Sequence, residues 1–197
     1  FASNDERFAV DLEMARCVCA DIIRAGERLG SNAMYTCDTP ENNLNDMLRD
    51  CLVLMGYSEV KDQTRHGSSA SGLSSGEVDI LLCKDGREIA ILEGLKLSSV
   101  DRSYIDAHVF KAIFNYNPLG APVFVVAYVS TNDFGEFWKR CLKHLGEYDY
   151  CARVRSPLTN GPYPNAAIRV ASMVLSRDEY DFPFYFIAIK LIQKGNE

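Results

Sequence analysis

Acidic side chains interrupt two runs of the chain that otherwise read as core strands. The first run is Gly76-Glu77-Val78-Asp79-Ile80-Leu81-Leu82; after a Lys84-Asp85-Gly86-Arg87 turn, the second is Ile89-Ala90-Ile91-Leu92-Glu93-Gly94-Leu95-Lys96-Leu97. Val78 to Leu82 and Ile89 to Leu92 are branched, short and joined by Asp-Gly, the pattern of a β-hairpin rather than of helices. A buried carboxylate is costly unless a cation, a metal or water at the end of the sheet compensates it. Asp79 and Glu93 therefore mark a place where charge is held on purpose, the setting for metal-assisted or acid–base chemistry. Glu77 shares strand parity with Asp79 and is an alternative to it.

The elements around the hairpin must position these acids. Thr39-Pro40-Glu41 is a helix start, with a capping hydroxyl, proline in the first turn and an acid at the positive end of the dipole. Leu44, Met47, Leu48, Cys51, Leu52 and Met55 continue as one apolar stripe, and Gly56 closes it. Glu41 shares the inward face with Leu44 and Leu48, either as a site residue or as a dipole-stabilising acid. After the hairpin, Asp101 to Tyr116 carries Tyr104, His108, Lys111 and Asn115 on one polar edge beside the apolar stripe Ile105, Val109, Ala112, Ile113 and Tyr116. That edge is a solvated helix flank or a line of site residues.

The remaining chain reads as scaffold. Asp5 to Leu29 is an amphipathic helix with Phe8, Leu12, Ala15, Cys19, Ile22 and Ile23 at helical spacing, ended by Gly26 and Gly30. It is assigned as an add-on or as the tail of a preceding domain (residues 1–30), followed by an α/β domain over 31–197. Tyr57 to Thr64 is a strand, and Arg65 to Gly76 is a polar loop whose Arg65 and His66 are candidate phosphate contacts. Pro122 to Val129 is a buried, parallel strand, and Phe134 to Leu145 is a helix with Trp138, Leu142 and Leu145 inward. Cys151 to Ala167, with three prolines, reads as a long loop bearing Arg153 and Arg155; Ile168 to Leu175 and Phe184 to Ile192 form a closing hairpin. Helices and strands in this order predict an α/β domain with a central mixed sheet flanked by helices.

Composition limits the alternatives. At 197 residues and 47% hydrophobic content the chain is about one domain long and can bury its own core. The seven cysteines form no Cys-x-x-Cys pair and no zinc spacing, which predicts reduced thiols and a cytoplasmic location. No apolar run reaches the roughly 18 residues of a membrane span, and no leader is visible. The chain begins at Phe1, as an excised piece of a longer protein would. The net charge of −6 is concentrated early, with ten acidic against five basic residues in 1–50 and eight against nine in 112–197. Bulk charge therefore does not hold this chain to nucleic acid; a polyanion would need a local groove, divalent cations or another domain.

A helix acid, a Gly-x-x-Asp strand, an apolar strand ending in Glu and Lys, then a helix and a further strand resemble the PD-(D/E)XK nuclease superfamily, over about residues 39 to 130. The resemblance implies a restriction-endonuclease-like fold. It makes Asp79 and Glu93 metal ligands with Glu77 in reserve, Lys96 the motif lysine and Glu41 the accessory acid, so that Glu41, Asp79, Glu93 and Lys96 are the catalytic set. Such a set suits phosphodiester hydrolysis, which needs a nucleophilic water and stabilised charge on the phosphate. Carboxylates about 4 Å apart repel by about 4 kcal/mol at an effective dielectric near 20, which favours Mg²⁺ (or Mn²⁺) between them.

The expected activity is that of a DNA endonuclease. The chain would be the effector module of a larger bacterial defence protein, with further domains in the parent chain and a homodimer for two-strand cleavage. His108, Lys111, Arg153 and Arg155 join Arg65 and His66 as candidate nucleic-acid contacts. The family writes Glu-x-Lys, whereas this chain writes Glu93-Gly94-Leu95-Lys96, so in a regular strand Lys96 faces away from Glu93. A bulge at Gly94 would bring it back; without one the fold serves as an inactive module for nucleic-acid binding, oligomerisation or ligand sensing.

Overall fold

Nearly continuous burial along the central strands requires helices on both faces of one sheet. The computed structural model describes residues 3–57, 59–66 and 76–192, with backbone alone for 59–66 and 76–77. Helix α1 (Asn4–Ser31) is followed by α2 (Glu41–Leu54), β1 (Glu59–His66), β2 (Gly76–Lys84), β3 (Arg87–Leu97) and α3 (Arg102–Phe110). A π-helical turn, Lys111–Asn115, extends α3. Then come β4 (Val123–Val129), α4 (Phe134–Glu147), β5 (Arg153–Asn160), β6 (Ile168–Arg177) and β7 (Tyr180–Lys190). The seven-stranded sheet has the order β1-β2-β3-β4-β7-β6-β5. Strands β3, β4 and β7 run parallel at its centre and the outer pairs are antiparallel, which makes it mixed as expected.

Two large cores lie on the two faces, with a smaller cluster of Val78, Leu81, Cys83, Ile91, Tyr116 and Ala121 beside them. Ala15, Val18, Ile22 and Leu29 of α1 join Leu44, Leu48 and Leu52 of α2 over Ile80, Leu92, Val126 and Ile187. Ile105 and Val109 of α3 join Trp138, Cys141 and Leu145 of α4 over Leu95, Val125, Ala127 and Phe186 on the other face. Strand β4 is buried along its whole length because both layers cover it.

Helix α1 is capped by a Ser3–Glu6 capping box. It does not end at Gly26. That glycine is buried against β7, where an added Cβ would lie 2.9 Å from Ile189 Cδ1, so it marks close packing rather than a terminus. The start of α2 also differs from expectation: Pro40 is the N-cap, without a side-chain cap bond. The Thr39 hydroxyl instead accepts the Thr36 N–H at 2.9 Å.

The segment 151–167 is not all loop. Arg153–Asn160 forms the edge strand β5, exposed along nearly its whole length, with register shifts between Val154 and Ser156 and between Ser156 and Thr159. Proline is tolerated on an edge strand at a bulge, which is where Pro157 falls. Strand β1 runs on to His66, with Arg65 paired to Glu77 and His66 to Gly76, so both belong to the strand rather than to a loop. The closing hairpin is longer than its apolar run because Asp178 and Glu179 adopt positive φ (51° and 62°) in a tight turn, extending both strands. All seven cysteines are free, and Cys19, Cys51, Cys83 and Cys141 are buried.

Candidate functional site

Strand β3 is where the acids meet, and its backbone explains how. The β2–β3 ladder runs from the Asp85-Gly86 turn to the Ile80–Leu92 pair, which sets Asp79 across from Glu93. Beyond Leu92, two amides on the β2 side of β3 are bonded to carboxylates. Asp79 Oδ2 accepts the Gly94 N–H at 2.8 Å, and Glu41 Oε2 accepts the Lys96 N–H at 2.8 Å. The acids thus substitute for strand carbonyls where the sheet splays, which satisfies the backbone and fixes both side chains. Glu41 reaches this point from the first turn of α2 and also accepts the Tyr104 hydroxyl of α3 at 3.2 Å.

Glu93 is 3% exposed and points to the α3 face. Its Oε1 lies 2.9 Å from His108 Nδ1, and its Oε2 is buried without a protein hydrogen-bond partner. Burial pushes the Glu93 carboxyl up from an ordinary 4.5 to about 7. The His108 bond works against this, Asp79 adds to it, and the Lys111 charge opposes it. Asp79 is raised too, first by burial and further by Glu41, while the Gly94 amide, His108 and Lys111 hold it down. Lys111, three residues beyond His108 at the start of the π-turn, is thus a lysine whose positive charge favours the ionised form of both acids. Tyr104 stands with its ring edge-on to His108, centroids 4.5 Å apart, and burial together with Glu41 pushes its hydroxyl to about 12.

Lys96 is elsewhere. Residues 91 to 97 of β3 pair one by one with 123 to 129 of β4, so no bulge interrupts the strand at Gly94. Strict alternation sends Glu93 to the α3 face and Lys96 to the α2 face, where its Nζ donates to Thr39 O at 2.8 Å. Gly94 is glycine for another reason. An added Cβ would lie 2.1 Å from Asn45 Oδ1, because Asn45 of α2 fills that space and accepts the Tyr128 hydroxyl at 2.9 Å.

Of the sequence candidates, Glu93 and His108 are bonded to each other, Asp79 and Glu41 hold the Gly94 and Lys96 amides just beyond, Lys111 follows three residues after His108, and Lys96 contributes its amide but not its amine. Arg153 and Arg155 lie on β5, four strands from β3, with Arg155 paired to Asp181 at 3.5 Å. The side chains of Arg65, His66 and Glu77 lie outside the described residues. Asn45 and Tyr128 back the strand from the α2 face although no motif names them, and Tyr104, already on the polar edge read from the sequence, bonds to Glu41. Asn45 was legible as a polar residue one turn after Glu41 in an apolar stripe, whereas Tyr128 in an apolar strand gave no signal.

Two carboxylates with oxygen to spare fit a hard cation such as Mg²⁺, which takes few protein ligands and keeps its waters. The buried, unbonded Glu93 Oε2 is the atom that such an ion would satisfy. Among the described residues no three His, Cys, Asp or Glu side chains gather as a ready-made metal cage, and no helix is long and apolar enough to cross a membrane. Compared with protein-family models, curated proteins and solved structures, the chain matches none.

Proposed function

We propose that this chain is a restriction-endonuclease-like domain that hydrolyses DNA phosphodiesters with Mg²⁺ or Mn²⁺, as the effector module of a larger bacterial defence protein. The observation that carries the reading is Glu93, a buried carboxylate with one oxygen fixed by His108 and the other unsatisfied, set across the hairpin from Asp79. Asp79 and Glu93 would hold the divalent ion, which supplies a polarised phosphoryl oxygen and a more acidic bound water.

The chain's own groups account for the rest. The Gly94 amide fixes Asp79, and His108 orients Glu93, donating from Nδ1 to the ionised carboxylate. Lys111, on the same face, provides a compact positive charge for the phosphate oxygens as negative charge builds there. Glu41 is already engaged by the Lys96 amide and by Tyr104, so its role is to lock α2 and α3 to the open edge of β3. The acidic balance of the chain supports a division of labour in which other domains grip the DNA.

The test is plasmid nicking by purified protein with Mg²⁺ or Mn²⁺. Nicking that needs the metal and falls at least about 10³-fold in Glu93→Ala supports the reading. No nicking by the wild-type chain under either metal overturns it.

A second reading, an inactive nuclease-fold module for nucleic-acid binding, oligomerisation or ligand sensing, is favoured by one observation: the motif lysine is tied to Thr39 O across the sheet from Glu93. It predicts that DNA or ligand binding persists in Glu93→Ala without turnover in either protein.

A further inference from the structure

The turn that carries Lys111 is held from a distant part of the chain. Lys111–Asn115 is π-helical, and Tyr116 N–H closes it by donating to Lys111 O at 3.0 Å, five residues back. A π-turn departs from α-helical pairing and leaves carbonyls that need other donors. Arg177, at the end of β6, supplies them: its guanidinium donates to Ile113 O at 3.0 Å and also to Asn117 O. Phe114 and Phe182 flank that guanidinium, with ring centroids 6.0 and 5.9 Å from Cζ. Just beyond, Asn117 is wholly buried and bonded on both sides to Ala121, at 2.9 and 2.7 Å, so the turn ends on a fixed loop.

We infer that Arg177 is a positioning residue for the site: by bridging the Ile113 and Asn117 carbonyls it fixes the wide turn that begins at Lys111, three residues after the His108 that is bonded to Glu93. This rests on the role given to Lys111 above. A planar fork can satisfy two carbonyls at once from a fixed direction, which a lysine at 177 cannot reproduce. A small displacement of a charged group at a reacting centre costs one to two orders of magnitude in rate. The β6–β7 hairpin thereby reaches the chemistry although none of its side chains touches the acids.

Two readouts test this on the full chain. In metal-free protein whose lysines carry carbon-13 methyl groups, the Lys111 signal, assigned by its loss in Lys111→Arg, should stand apart from those of exposed lysines. It should collapse toward them in Arg177→Met and in the milder Arg177→Lys. In nicking assays, Arg177→Met should lower kcat about 10-fold with KM for DNA within about twofold, and add nothing in a Lys111→Met background. An unmoved Lys111 signal in either folded variant overturns the inference, as does an equal loss of kcat in the Lys111→Met background. The signal reads the positioning whether or not the protein cuts DNA, so a chain that fails to nick sinks the nuclease reading alone.

Discussion

The two faces of β3 carry the same kinds of residues to opposite ends. On the α3 face, Glu93 is buried with a histidine on one oxygen and nothing on the other, under the field of Lys111. On the α2 face, Lys96 is bonded through its amine to Thr39 O and through its amide to Glu41, while Asn45 occupies the space over Gly94. One face leaves a buried carboxylate oxygen without a partner, whereas the other bonds both the amine and the amide of Lys96 and fills the space over Gly94. A buried polar atom without a partner asks for an explanation, and under the function proposed above the α3 face is the chemical one and the α2 face the structural one.

The sharpest way to break this contrast is to remove each lysine in turn. Lys111→Met is expected to lower metal-dependent nicking by at least about 10²-fold while leaving the melting temperature near that of the wild type, since the loss is of charge facing the phosphate. Lys96→Met should cut nicking by less than about tenfold. Equal losses in the two variants, measured side by side, would return the motif lysine to the site.

Next in size is the closed face itself. Gly94→Ala forces Asn45 out of its place against β3 and breaks its bond to Tyr128, for a loss of about 3 kcal/mol from overpacking and one buried hydrogen bond. Denaturant unfolding gives the number. A variant as stable as the wild type would show that the α2 face yields, contrary to the closed packing described.

The open face has its own signature in pH. Because the folded pKa of Glu93 is raised from 4.5 to about 7, its protonated form is favoured by folding. That contribution is complete below about pH 4.5 and is lost as pH rises through 7. Glu93→Gln mimics the protonated form, so without divalent cations it should melt higher than the wild type at pH 8, by roughly 3 kcal/mol at most, and match it near pH 4.5. Added Mg²⁺ or Mn²⁺ should stabilise the wild type at pH 8 and not the variant. A wild-type melting curve that ignores pH between 5 and 8 would contradict a desolvated Glu93.

The smallest expected effect belongs to the Lys96 amine. Its single bond to Thr39 O is worth about 1 kcal/mol, so Lys96→Met should cost about that much in thermal unfolding, and the backbone contact to Glu41 should survive.

Much of the scaffold was legible because it follows from periodicity. The stripes of α1, α2 and α4, the Asp85-Gly86 hairpin and the apolar run of β4 each declared their element and inward face, and Asp79 and Glu93 stood out because they broke such a pattern. Strand β5 was missed because three prolines in 151–167 argue for loop, and only pairing with β6 reveals an edge that tolerates one of them at a bulge. The π-turn was missed because its residues fit an α-helical spacing equally well.

Residue types and their period, then, were enough to put two acids in one hairpin, Glu41 at a helix start, and His108 and Lys111 on one helix edge. Which of them meet was decided by register and packing. The unbroken pairing of β3 with β4 turned Lys96 away, since a strand has a fixed period of two and nothing local to Gly94 compels a bulge. The approach of α3, with the turn beyond it held by Arg177, brought His108 onto Glu93 and set Lys111 three residues further along. Local sequence sets the direction of a side chain along its own element; only the docking of one element on another sets which charges share a dielectric cavity.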